Sequence, residues 1–91
     1  MKIFKYTLDL IDLQSLELPV GAKVLAVQVQ NGNPQIWALV DENAQKEVRT
    51  FATYGTGHVV ANNPCNYIGT YQLENGAFVF HVFEKLAYLN D

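Results

Sequence analysis

The 91 residues suit one domain with a thin core: 49% are hydrophobic and 16% charged, which excludes a disordered chain and allows folding without metals or disulfides. Six Lys and Arg against nine Asp and Glu leave a formal charge of −3, too few cations for a stripe that neutralises the phosphates of extended nucleic acid. The one cysteine, Cys65, excludes an internal disulfide, and no apolar run approaches the roughly 20 residues that span a bilayer, so a protein of a reducing, cytoplasmic compartment with no membrane partner is expected.

Residues 2–10 alternate in polarity, with Phe4, Tyr6, Leu8 and Leu10 on one side and Lys5, Thr7 and Asp9 on the other, the period of a strand exposed on one face. Residues 11–14 read as a turn into a short strand over 15–18, which Pro19-Val20-Gly21 stops. Residues 23–30 alternate again, Leu25, Val27 and Val29 against Ala26, Gln28 and Gln30. Asn31-Gly32 marks a tight hairpin because both residues accept positive φ, and the returning strand, 35–40, is apolar enough on both faces to be central.

Residues 41–46 are too few for a stable helix and read as a hairpin loop with at most one helical turn. The strand over 47–54 places Val48, Thr50, Ala52 and Tyr54 on one face and Arg49, Phe51 and Thr53 on the other. Residues 55–66 lack periodicity and read as an irregular loop holding Cys65, a kind of segment that often carries function. A last hairpin joins 67–73 to 77–85 through the three-residue connection Glu74-Asn75-Gly76. Residues 86–91 form an apolar tail behind a single β domain of residues 1–85. Six to seven short strands predict an all-β protein, an antiparallel meander forming a small barrel or sandwich.

The sharpest local feature is Tyr54-Gly55-Thr56-Gly57-His58. Two glycines flanking a threonine at a strand end can aim backbone N–H groups at one point as an anion nest, to which Arg49 and His58 would add charge. Arg49, Tyr54, Gly55, Thr56, Gly57 and His58 are therefore the candidate ligand-binding set. The competing reading is that the glycines only shape the strand's exit, since the lysine and following helix of a phosphate-binding loop are missing.

His81, between Phe80 and Val82, reads as a half-buried, hydrogen-bonded strand histidine, and Cys65 as an ordinary loop thiol. Trp37 reads as core, with a groove-lining role beside Tyr54, Tyr67 or Tyr71 as the alternative. Gln28, Gln30, Gln35 and Gln72 leave uncharged sheet faces, the composition of either a protein interface or a solvated surface. Catalysis would need His58 or His81 to meet a carboxylate such as Asp41 or Glu84. No catalytic residues, metal set or cofactor fingerprint emerge, and none is expected.

As a whole the chain resembles a family of short uncharacterised proteins encoded in bacteriophage and prophage genomes. The resemblance runs through K-I-F-K-Y-T-L, L-P-V-G-A-K-V-L-A-V-Q, I-W-A-L-V-D, R-T-F-A-T-Y-G-T-G-H, Y-I-G-T-Y-Q-L and F-V-F-H-V-F-E, up to Glu84. It brings no catalytic residues with it. It implies a phage-derived accessory protein of a bacterial host cytoplasm that binds a host or defence protein, and the missing nucleophile–base pair, metal set and cofactor fingerprint make a non-enzymatic binder the expectation. Self-association through an exposed sheet edge, as a homodimer or small ring, is a further expectation. The alternative function is sequestration of a small anionic ligand, such as a nucleotide signal, by the Arg49 to His58 set.

Overall fold

The alternation resolves into seven strands: β1 (Lys2–Thr7), β2 (Leu13–Pro19), β3 (Lys23–Gln30), β4 (Asn33–Val40), β5 (Lys46–Gly55), β6 (Cys65–Leu73) and β7 (Phe78–Lys85). A computed structural model describes residues 1–60 and 65–85, so part of the expected loop and all of the expected tail lie outside the described residues. The strands form two antiparallel sheets, ordered β1-β4-β3 and β2-β5-β7-β6, packed as a sandwich rather than closed into a barrel. Only two of the five strand pairs, β3–β4 and β6–β7, join consecutive strands, so the expected meander is confined to those hairpins. Central β4 is flanked on both sides, as its apolar sequence predicts.

Three connections carry the chain between sheets, β1–β2, β2–β3 and β4–β5. After Thr7 the Leu8 N–H donates to Pro34 O at 2.9 Å, and the Gln14 amide engages both the N–H and the C=O of Asp9 at 2.9 Å. That clamp ends β1 three residues before the polarity pattern does. The 41–46 segment is likewise a crossover, not the expected hairpin loop, because β4 and β5 lie in different sheets. Asp41 nucleates its turn by accepting the Asn43 N–H at Oδ1 (3.1 Å) and the Ala44 N–H at its carbonyl (3.0 Å).

The core lies where the inner faces meet: Val27, Ile36, Ala38 and Val40 from one sheet against Leu18, Phe51, Tyr71 and Val82 from the other. The sheets approach most closely where edge strands β3 and β6 run past each other. Each carries a β-bulge there, between Val24 and Ala26 and between Tyr67 and Gly69. A Cβ on Gly69 would stand 2.8 Å from Val27 Cγ1, so the missing side chain sets the spacing.

At the β3–β4 turn, Asn31 (φ 53°) and Gly32 (φ 80°) both take the left-handed conformation of a two-residue hairpin. Nothing lies within 4 Å of a Cβ built on Gly32. Gly32→Val therefore tests backbone conformation alone, and urea unfolding should show a loss of about 1 kcal/mol or more; an unchanged midpoint would contradict the turn. The β6–β7 connection spans four residues rather than three, with positive φ at Glu74, Asn75 and Gly76.

Candidate functional site

Arg49 does not join the glycine turn. It lies on the inner face of β5, near the opposite end of that strand, where its guanidinium meets the Glu84 carboxylate through Nε (2.5 Å) and Nη2 (2.8 Å) and donates through Nη1 to Ala22 O (2.6 Å). Both side chains are largely buried, at 17% and 13% exposure. The hydrogen bonds to Glu84 hold Arg49 in its charged form against the opposing effect of burial. The same pairing occupies Glu84, one of the carboxylates a catalytic histidine would have needed.

The turn itself is self-satisfied. The His58 N–H donates to Gly55 O (3.0 Å) and the Thr56 N–H to Val79 O (3.1 Å), so two of the N–H groups of the proposed nest are engaged internally. The glycines serve separate ends: Gly57 supplies φ +86°, while Gly55 makes room for the His58 ring, which a Cβ would meet at 2.8 Å.

Tyr54, on the outer face of β5, belongs to a different constellation. It stands opposite His81 in the ladder, and it and Tyr67 pack edge-on against Phe83 with ring centroids at 5.8 and 5.4 Å. A chain of hydrogen bonds runs beside them, Tyr67 Oη to Thr70 Oγ1 (2.5 Å), Thr70 Oγ1 to His81 Nδ1 (2.9 Å) and His81 Nε2 to Thr56 Oγ1 (2.7 Å). His81 is thus a half-buried histidine held at both ring nitrogens, one donating and one accepting in the neutral ring. The three strands β5, β7 and β6 present a face of aromatic rings and hydroxyls, with Tyr67 at its edge 59% exposed.

Strict alternation from Tyr67 would group it with Gly69 and Tyr71. The bulge at Ile68 instead puts Tyr67 and Thr70 opposite the outward-facing Phe83 and His81, and turns Tyr71 inward. Gly69 in mid-strand was the signal for that shift. Cys65 is the first residue of β6 rather than a loop residue, its thiol free and half-buried.

Trp37, expected in the core, lies half-buried on the outer face of the three-stranded sheet, beneath the Lys5 ammonium at 5.9 Å. Its Nε1–H is buried without a partner. Gln28 and Gln35 stand opposite each other on that face, and Gln30 accepts from Lys5 Nζ at 2.6 Å. Gln72 is on the other sheet.

The turn also borders the end of the sandwich, where shallow clefts share Phe80. One of about 60 Å³ runs between Leu10, Ile11, Asp12, Thr53, Gly55 and Tyr71, and another of about 220 Å³ lies between Gly55, Thr56, His58 and Phe78. Burial pushes the Tyr71 phenol above its ordinary pKa. A third cleft, about 420 Å³, is lined by Leu10, Gly32, Leu73, Glu74, Phe78 and Phe80. Among the described residues there is no group of three or more potential metal ligands, and no helix is long and apolar enough to cross a membrane.

The model of a family described as a domain of unknown function (DUF7352) matches residues 1–88. No curated protein and no solved structure matches the chain.

Proposed function

The chain belongs to the DUF7352 family, and from that premise we propose that it is a non-enzymatic accessory protein, of phage or prophage origin, that acts in the bacterial cytoplasm by contact with a host or defence protein. The observation that supports this reading is the outer face of β5, β6 and β7. Tyr54, Tyr67 and Phe83 form an aromatic cluster there, the polar groups beside it are the hydroxyls and imidazole of Thr56, Thr70 and His81, and a full charge comes on that face of β7 only at Lys85. Depletion of charge around exposed aromatic rings is the composition of an interface centre. Tyrosine suits that position because it contributes large area at low entropic cost with a polar tip.

Sequestration of an anionic nucleotide is the less favoured reading, because Arg49 is engaged by Glu84 and two N–H groups of the turn are bonded within the protein.

The test is a matched capture from bacterial host lysate with three baits: the unmodified protein, Tyr67→Glu, and Gln28→Glu on the opposite sheet. A stoichiometric host protein should be retained by the first and third baits and lost by Tyr67→Glu, with circular dichroism confirming that all three are folded. Retention of the same protein by Tyr67→Glu, or recovery of a nucleotide with no protein, would overturn the proposal.

A further inference from the structure

We infer that the end of the sandwich bearing Leu10 and Phe78 is a second docking site, a cleft that takes a polypeptide segment in which an aliphatic or aromatic side chain is flanked by Lys or Arg. This site is separate from the aromatic sheet face and does not depend on it.

The apolar part is unusual for a chain this small. Leu10 and Phe78, 63% and 50% exposed, stand with Leu73 and Phe80 around the 420 Å³ cleft, and Ile11, 50% exposed, lines the adjoining cleft that shares Leu10 and Phe80. The β1–β2 connection that presents Leu10 and Ile11 is fixed at its root, since Gln14 holds both backbone polar groups of Asp9 and Asp12 O accepts the Thr53 N–H at 2.9 Å. The exposed pair is therefore carried on an anchored loop. Such a concave apolar surface accepts one or two side chains of a partner.

The charge pattern selects which partner. Glu74 lines this cleft, Asp12 lines the adjoining one and Asp9 precedes Leu10 in the same connection, and among the described residues no Lys or Arg is found in the connections that build this end, residues 8–12, 31–32, 55–60 and 74–77. Lys23, Lys46, Arg49 and Lys85 belong to the opposite end, Lys2 pairs with Glu42 there, and Lys5, on the outer face of β1, reaches the end of β3 and donates to Gln30. Among the described residues the five acids outside this end, Glu17, Asp41, Glu42, Glu47 and Glu84, are matched by the six cations.

An acidic rim around an apolar floor complements a basic segment with an apolar anchor, through the anchor's burial and through rim electrostatics that speed encounter. A second copy of the chain is a poorer fit, because two of the cations at its opposite end already have acids of their own, in Lys2–Glu42 and Arg49–Glu84.

The probe is an acetylated, amidated hexapeptide, Lys-Arg-Leu-Phe-Arg-Lys, titrated into isotope-labelled protein and followed by NMR. Saturable shifts are expected at Leu10, Ile11, Leu73, Phe78 and Phe80. The affinity should fall by about tenfold in the Asp12→Asn/Glu74→Gln double variant, whose rim keeps its shape and loses two charges. It should also fall in Phe78→Ser, and stay unchanged in Tyr67→Glu, which separates this site from the sheet face. Two control peptides complete the test, one with Gly-Ser in place of Leu-Phe and one with Glu and Asp in place of the cations. Equal binding of either control, shifts centred elsewhere, or no saturable binding of the first peptide would overturn the inference.

Discussion

Arg49→Met should lower the unfolding free energy by about 3 kcal/mol, a large share of the 5 to 15 kcal/mol that holds a typical domain together. The substitution leaves a mostly buried Glu84 carboxylate without its two guanidinium hydrogen bonds and removes the donor to Ala22 O. The penalty comes from the stranded groups more than from the pair's net attraction, because forming the pair already required both ions to leave water. Arg49→Met combined with Glu84→Leu should therefore recover most of the loss. Urea unfolding of the two single variants and the double variant decides it. A single-variant loss well under about 1 kcal/mol, the range of exposed ion pairs, would mean that water reaches this pair freely. Substitution of Arg49 also reports on stability before it reports on any ligand.

Gly69→Ala should cost about 1 to 3 kcal/mol, although alanine is a small addition. The new Cβ would stand 2.8 Å from Val27 Cγ1, and valine's branched side chain has little rotameric freedom with which to yield. The backbone of Val27 lies at 3.7 and 3.9 Å, ordinary contact distances, so the obstacle is the side chain alone. Val27→Ala in the Gly69→Ala background should then cost less than Val27→Ala by itself. A double-mutant cycle with no coupling between the two sites would show that β3 and β6 separate easily and that the close approach does not fix the corner.

Periodicity located all seven strands to within a few residues, because a two-residue repeat depends on local chemistry alone. It could not say which strands pair. That β1 finds β4 and β2 finds β5 follows from how two sheets cover each other's apolar faces, a property of the assembled chain. The bulges were a second blind spot: each inserts a residue that reverses the facing of the rest of its strand, which is why Leu25 is exposed while Val27 is buried, and why Thr70 joins Tyr67. Arg49 was misplaced for a related reason. Next to a glycine turn in sequence it suggests an anion site, yet it sits on the inner face where Glu84, 35 residues away, supplies the compensating charge. Trp37 went astray because an apolar strand flanked on both sides still has an outer face. The charge separation along the sandwich emerges only when acids spread from Asp9 to Glu74 are folded onto one end.

The order of the strands also sets the tempo at which this protein assembles. The β3–β4 and β6–β7 hairpins close through short turns and can form in microseconds. The remaining pairs bring together residues such as Thr7 and Gln35, 28 apart, and Ser15 and Thr50, 35 apart, so a large loss of chain entropy precedes their reward. The two hairpins are thus the natural seeds of the transition state, with β1 and β5 annealing onto them, and β2 onto β5, in milliseconds or longer. In the interval, the apolar faces of both hairpins are open to other chains, and the tight Asn31-Gly32 turn shortens that exposure by fixing one seed early.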